Sequence, residues 1–232
     1  MGLKENMKMV KAVRKHQKGE YDEAFKLYEE LYDSRVVSAR YLIYYATMLL
    51  KKGGEENYKK AKEVLLVAQK APDLTPQHRV NLFTDYATAE YKLGDMEAAL
   101  RHMETIAQKN KTGDVYSVLG YLYIEAGDVE KALAFNTEAL EYDDEDPVVL
   151  DNMGQLYYRL LNDKAKAKEY FDRAIAEKPN QIDTLYFLSR YDLEKGDKAA
   201  AKEKLEKAYE GRFSPLNYVT KEIVAEEIKK LG

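Results

Sequence analysis

One phrase recurs along the chain and constrains its fold more than any other feature. It is a glycine turn, a short polar stretch, an alanine, and a large apolar residue four positions later. It reads Gly19-Glu20-Tyr21-Asp22-Glu23-Ala24 with Tyr28, and Gly94-Asp95-Met96-Glu97-Ala98-Ala99 with Met103. Gly127-Asp128-Val129-Glu130-Lys131-Ala132 repeats it, and Gly196-Asp197 leads to Ala201 and Leu205. Weaker copies end at Ala61 with Leu65 and at Ala167 with Phe171. The six alanines Ala24, Ala61, Ala99, Ala132, Ala167 and Ala201 are spaced by 37, 38, 33, 35 and 34 residues. A regular period in this range marks stacked helical repeats, each burying an apolar face on its neighbours. The longer steps contain the Gly53-Gly54-Glu55-Glu56-Asn57 turn and the Pro72-Asp73-Leu74-Thr75-Pro76 connection, where loops tolerate insertion.

A second set of matches precedes each alanine. The fourth copy reads Tyr116, Leu119-Gly120, Tyr123, Gly127, Ala132, Ala139, and the fifth Leu150, Met153-Gly154, Tyr157, Ala167, Phe171, Ala174, Pro179. Pairs four apart, such as Leu119 and Tyr123, share one helical face. Small residues at Ala46, Ala87, Gly120, Gly154 and Ser189 fall where two helices of a pair cross, and a large side chain there would part the backbones. Gly127-Asp128 and Gly196-Asp197 predict a left-handed helix end followed by an N-capping carboxylate. Pro147 and Pro179 stop second helices. The acidic run Asp143-Asp144-Glu145-Asp146 lacks the spacing and glycine of a calcium loop, and is expected to solvate a turn and cap the helix at Pro147.

This arrangement resembles the tetratricopeptide repeat signature, with Tyr116, Leu150 or Leu185 in place of the family's leading Trp. The resemblance covers nearly the whole chain and is strongest over residues 113–214. It implies an all-α fold: a right-handed superhelix of antiparallel helix pairs, a single solenoid over residues 1–232. The repeats run approximately 5–37, 38–75, 76–112, 113–146, 147–180 and 181–214. The first is degenerate, with Lys8 and Lys11 at expected apolar places. A capping helix over 215–232 is predicted from Ser214-Pro215, with Val219, Ile223, Ile228 and Leu231 as its apolar stripe.

Composition agrees. Hydrophobic residues make up 45% and charged residues 34%, too apolar for a disordered chain. Net charge is −4, so no basic excess favours nucleic acid. There is no cysteine, which excludes disulfides and thiolate metal sites. No signal-like segment opens the sequence, Asn6 breaks the myristoylation pattern, and no apolar run is long enough for membrane insertion. The expectation is a cytoplasmic protein without cofactor or metal.

The resemblance also implies where a partner binds. The second, fifth, sixth, ninth, twelfth and thirteenth places of each repeat face the concave groove. Among them, Tyr44, Thr47, Lys51, Asp85, Thr88, Tyr91, Tyr121, Ile124, Asn152, Gln155, Tyr158, Arg159, Tyr186, Phe187 and Arg190 are the candidate partner-binding residues. The tyrosines bring rigid contact area with a polar tip, although packing between neighbouring first helices explains them equally well. Chaperone-binding members of the family grip a terminal carboxylate with a Lys at the fifth place. Here that place reads Met9, Ile43, Thr84, Ser117, Asp151 and Tyr186, so the clamp is missing. The expected partner is a protein or peptide with an apolar or amphipathic segment, bound by an adaptor module. The alternative is a self-assembling scaffold built through terminal helices, including the first with Met7, Met9, Val10 and Val13; a monomer or weak homo-oligomer fits either reading. An enzyme is not expected. His16, His78 and His102 are scattered, and no Ser-His-Asp grouping, phosphate-cradling loop or HExxH motif is present.

Overall fold

The structure, a computed structural model, describes residues 2–232. Its regular elements are helices: α1 (Leu3–Gln17), α2 (Tyr21–Asp33), α3 (Ala39–Lys52), α4 (Glu55–Ala68), α5 (Pro76–Lys92), α6 (Met96–Ala107), α7 (Gly113–Glu125), α8 (Val129–Tyr142), α9 (Pro147–Gln155), α10 (Lys164–Glu177), α11 (Ile182–Glu194), α12 (Lys198–Tyr209) and α13 (Lys221–Lys230). Successive helices pair as the repeat predicts, and α13 packs on α12. The helices gather into two compact units, one ending at Ile106 and one running from Ala107 to Gly232.

The repeat register holds residue by residue. All six second-helix alanines, Ala24 to Ala201, are fully buried, as are Ala46, Ala87 and Ser189 at the crossings. At Gly120 an added Cβ would lie 2.3 Å from the Asn136 side chain, and at Gly154 one would lie 2.4 Å from the Phe171 ring. The missing side chain is therefore what lets these helix pairs close, because packed interiors leave no slack for a methyl group.

The turns work by the chemistry expected of them. Gly127 has φ 73°, a conformation that costs a side-chain-bearing residue energy, and Asp128 Oδ1 then accepts from Lys131 N at 3.1 Å. Asp95, Asp163 and Asp197 cap α6, α10 and α12 in the same way. Asp146 Oδ1 accepts from Val148 N at 2.8 Å and Val149 N at 3.2 Å, so the acidic run does cap the helix at Pro147.

Three details differ from expectation. The first helix of the fifth repeat ends in a π-turn, Leu156–Leu160, closed by Leu161 N donating to Leu156 O at 3.0 Å. Asn162, with φ 55°, follows it in the left-handed role that glycine plays elsewhere. The capping helix does not begin at Ser214-Pro215. It starts at Lys221 behind a Thr220 cap, because the amides of Ser214, Leu216, Asn217, Tyr218 and Val219 are spent on a turn anchored to Asp183. Its fully buried residue is Val224, not Ile223, which is exposed. The degenerate first helix packs on α2 through Met9, Ala12 and Val13, while Lys8 Nζ reaches Glu30 Oε2 at 2.7 Å.

Candidate functional site

In the second unit, three first helices and two loops enclose a cleft of about 730 Å³. From α7 come Ser117, Val118 and Tyr121; from α9, Val148, Asp151, Asn152 and Gln155; from α11, Ile182 and Asp183. Lys178 and Asn180 of the α10–α11 loop and Glu210, Arg212, Leu216 and Asn217 of the α12–α13 connection form much of the rim.

The floor is a hydrogen-bonded seam. Asn152 Nδ2 donates to Ser117 O at 3.0 Å, tying α9 to α7. Thr184 Oγ1 donates to Asp151 Oδ1 at 2.5 Å, tying α11 to α9, and Gln155 Nε2 donates to Asp151 Oδ2 at 2.8 Å. Asp183 accepts from Asn217 Nδ2, Tyr218 N and Val219 N. Both carboxyls are buried, and burial is the main force raising their pKa. Asp151 is pushed up to about 7, with the charge of Asp183 adding to burial and the bonds from Thr184 and Gln155 opposing it. Asp183 is raised as well, against the pull of its three donors and of Arg159.

The π-turn sets the far side of this seam. Arg159 Nη1 donates to Glu125 Oε1 at 2.6 Å and to Gln155 Oε1 at 2.9 Å, and its guanidinium lies 4.1 Å from the Tyr218 ring centre. Tyr158 is wedged among Phe187, Tyr191 and Phe171, and burial raises its pKa. Phe187 is buried and stacks on Phe171 at 5.1 Å. Arg190 donates to the Tyr186 hydroxyl and to Glu227 Oε2, the latter at 2.8 Å, linking α11 to α13. Tyr121 and Ile124 are buried.

The first unit repeats the theme. Thr47 Oγ1 donates to Asp85 Oδ2 at 2.5 Å, joining α3 to α5, and burial pushes Asp85 up to about 7 against Thr47 and Lys51. Thr88 is buried and bonded to Thr84 O. Tyr44 is exposed, with its ring 4.6 Å from that of His16; Lys51 is exposed too. Lys92 Nζ stands 5.0 Å over the half-buried Tyr91 ring. Buried Glu90 bridges Lys62 of α4 at 3.3 Å and His102 of α6 at 2.7 Å.

The structure thus brings Tyr121, Asn152 and Gln155 to the cleft and puts Arg159, Tyr158, Phe187, Tyr186 and Arg190 in a contiguous layer beside it. Sequence reasoning did not assign Asp151, Asp183 and Asn217 their connecting roles. A signal was available, since Asp151 with Thr184 and Thr47 with Asp85 are each about one repeat period apart. Among the described residues, no three His, Asp or Glu side chains are grouped to hold a metal ion, and no helix is long and apolar enough to cross a membrane.

Comparisons with known proteins agree with the fold. Tetratricopeptide repeat family models match residues 85–147 and 149–181. A tetratricopeptide repeat protein from Parabacteroides merdae superposes with a TM-score of 0.78 at 13% identity, over 99% of this chain and 84% of that one. A thermophilic TPR protein of Thermus thermophilus gives 0.60 at 19% identity, over 76% and 91%. YrrB, described as a TPR protein with an unusual peptide-binding site, gives 0.54 at 21% identity, over 77% and 88%. A search of curated proteins by sequence finds no match. Six alanines in register, glycine-aspartate turns, paired helices and two family matches converge: the chain is a tetratricopeptide repeat protein.

Proposed function

We propose that the chain is a protein-interaction module whose second unit receives an amphipathic partner segment in the cleft between α7, α9 and α11. The general role is that of tetratricopeptide folds, which serve protein–protein contact. The observation that supports the particular site is the lining. The half-buried Val118, Val148 and Leu216 offer apolar surface beside the amide groups of Asn152, Gln155, Asn180 and Asn217. Apolar walls with a few fixed polar groups are what ordered ligand segments bury against. The fifth places here are Ser117, Asp151 and Tyr186, so no Lys waits for a terminal carboxylate. An internal segment of the partner fits better than its C-terminus. The rim carries Lys178 and Arg212 with Glu210 beside them, so charged residues flanking the segment contribute to the fit and make binding sensitive to salt.

Site-specific photo-crosslinking tests this. A benzophenone side chain at Val118, in the cleft, should join a partner segment, and the same probe at Lys26, on α2, should not. Val148→Asp should abolish the Val118 adduct while the helical circular dichroism stays unchanged. Equal adducts from both positions, or an adduct indifferent to Val148→Asp, would remove the cleft as the site.

A further inference from the structure

A second surface, outside the cleft, lies on α1. In α3 the side chains that meet the preceding second helix are Tyr41 and Tyr45. Tyr41 stacks on Tyr28 at 5.9 Å, and Tyr45 meets Phe25 at 5.3 Å. In α11 the corresponding contact is made by Phe187 on Phe171. Counting back from the crossing residues Ala12, Ala46 and Ser189, Met7 and Lys11 stand in α1 where Tyr41 and Tyr45 stand in α3. Val10 stands where Phe187 stands in α11. No helix covers them in this structure: Met7 is 66% exposed, Val10 38%, and Leu3, one turn before Met7, 79%. Residues at 3, 7 and 10 form one row on a helix, on the side away from the buried Met9, Ala12 and Val13.

Charge says what fits there. Residues 3–18 hold six basic side chains against Glu5 alone, in a chain whose net charge is −4. Lys8 and Lys15 are paired with Glu30, Glu20 and Glu23. Lys4, Lys11 and Arg14 have no ion pair among the described residues and are exposed beside the apolar row. We propose that this face of α1 docks an amphipathic helix of a partner protein, apolar where it meets Leu3, Met7 and Val10 and acidic where it meets Lys4, Lys11 and Arg14. The row is one side chain wide, which suits the seam between two helices. Insertion at a bilayer surface needs a broad apolar face, and the broad face of α1 is already spent on α2.

The test is a display library of amphipathic helices whose flanking positions vary among Glu, Gln, Ser and Lys, selected against the full chain. Glu-flanked helices should be enriched. Their affinity should fall about tenfold or more with Met7→Asp/Val10→Asp and with Lys11→Glu/Arg14→Glu, and persist with Val148→Asp in the cleft. All four substituted residues on α1 are exposed, so its helical signal should survive in both variants. Enrichment of neutral or Lys-flanked helices, or binders indifferent to the α1 variants, would overturn the proposal. So would a chain that instead floats with phosphatidylserine vesicles, or forms a dimer that Met7→Asp/Val10→Asp dissolves. Those outcomes assign the face to lipid or to a second copy.

Discussion

At Gly154 a single hydrogen atom decides whether α9 and α10 can close. Gly154→Ala would drive a methyl group to 2.4 Å from the Phe171 ring, which itself stacks on Phe187 and has nowhere to retreat. We expect a loss of about 1–3 kcal/mol, the usual cost of overpacking, seen as a lower urea midpoint with little change in m-value. Asn162 is the opposite case. It holds φ 55° where the other repeats use glycine, so Asn162→Gly should raise stability by ~0.5 kcal/mol. A fall in melting temperature on that substitution would mean the Asn side chain contributes more than its backbone costs. The crossing glycines were legible in the sequence because a spacing of small residues is a one-dimensional pattern. Asp151 was not, since its partner Thr184 lies on another helix and nothing local marks an acid for burial.

Among the elements, α13 shows where local signals mislead. Ser214-Pro215 reads as a helix start, yet Asp183 claims the amides of Tyr218 and Val219 and holds that stretch as a turn. The helix waits for Thr220, whose hydroxyl accepts from Ile223 N at 3.3 Å. Thr220→Ala should cost about 1 kcal/mol, the worth of an N-cap, and show as faster amide exchange confined to α13. Asp183→Ala should release the 217–219 turn as well, and extend the fast exchange to residues 217–219. The π-turn at Leu156–Leu160 is likewise invisible locally. It carries one extra residue in the turn before Asn162 and sets Arg159 beside Glu125 and Tyr218, a compromise made between helices rather than within one.

For the whole molecule, the buried Asp151 and Asp183 and the partly buried Asp85 give a signed dependence on pH. Asp85 and Asp151 are raised to about 7 and Asp183 is raised too, so the folded chain holds protons that the unfolded chain has lost. Such groups contribute stability that is complete below the ordinary Asp range and lost as pH rises through about 7. His16, whose pKa burial lowers, acts the other way just below its ordinary value. Carboxylates held low by lysines, such as Glu30 and Glu138, lose their contribution only below the ordinary Glu range. The net expectation is a urea midpoint higher at pH 5 than at pH 8, and a smaller difference in Asp151→Asn and Asp85→Asn. A midpoint that changes with pH by the same amount in Asp151→Asn and Asp85→Asn as in the parent chain would show these carboxyls to be ionised throughout.

The repeat period, the helix pairs, the crossing residues and the aspartate caps were all determined by the sequence itself, because each is a local pattern that recurs from repeat to repeat and can be checked against its own copies. Which groove residues face outward was decided only in three dimensions. The same places that can meet a partner also meet the neighbouring repeat, as Asn152 meets Ser117 of α7 and Phe187 meets Tyr158 and Phe171. A one-dimensional pattern gives the face of a helix. Only packing shows whether that face is covered, as at Phe187, or left open, as at Met7 and Val10.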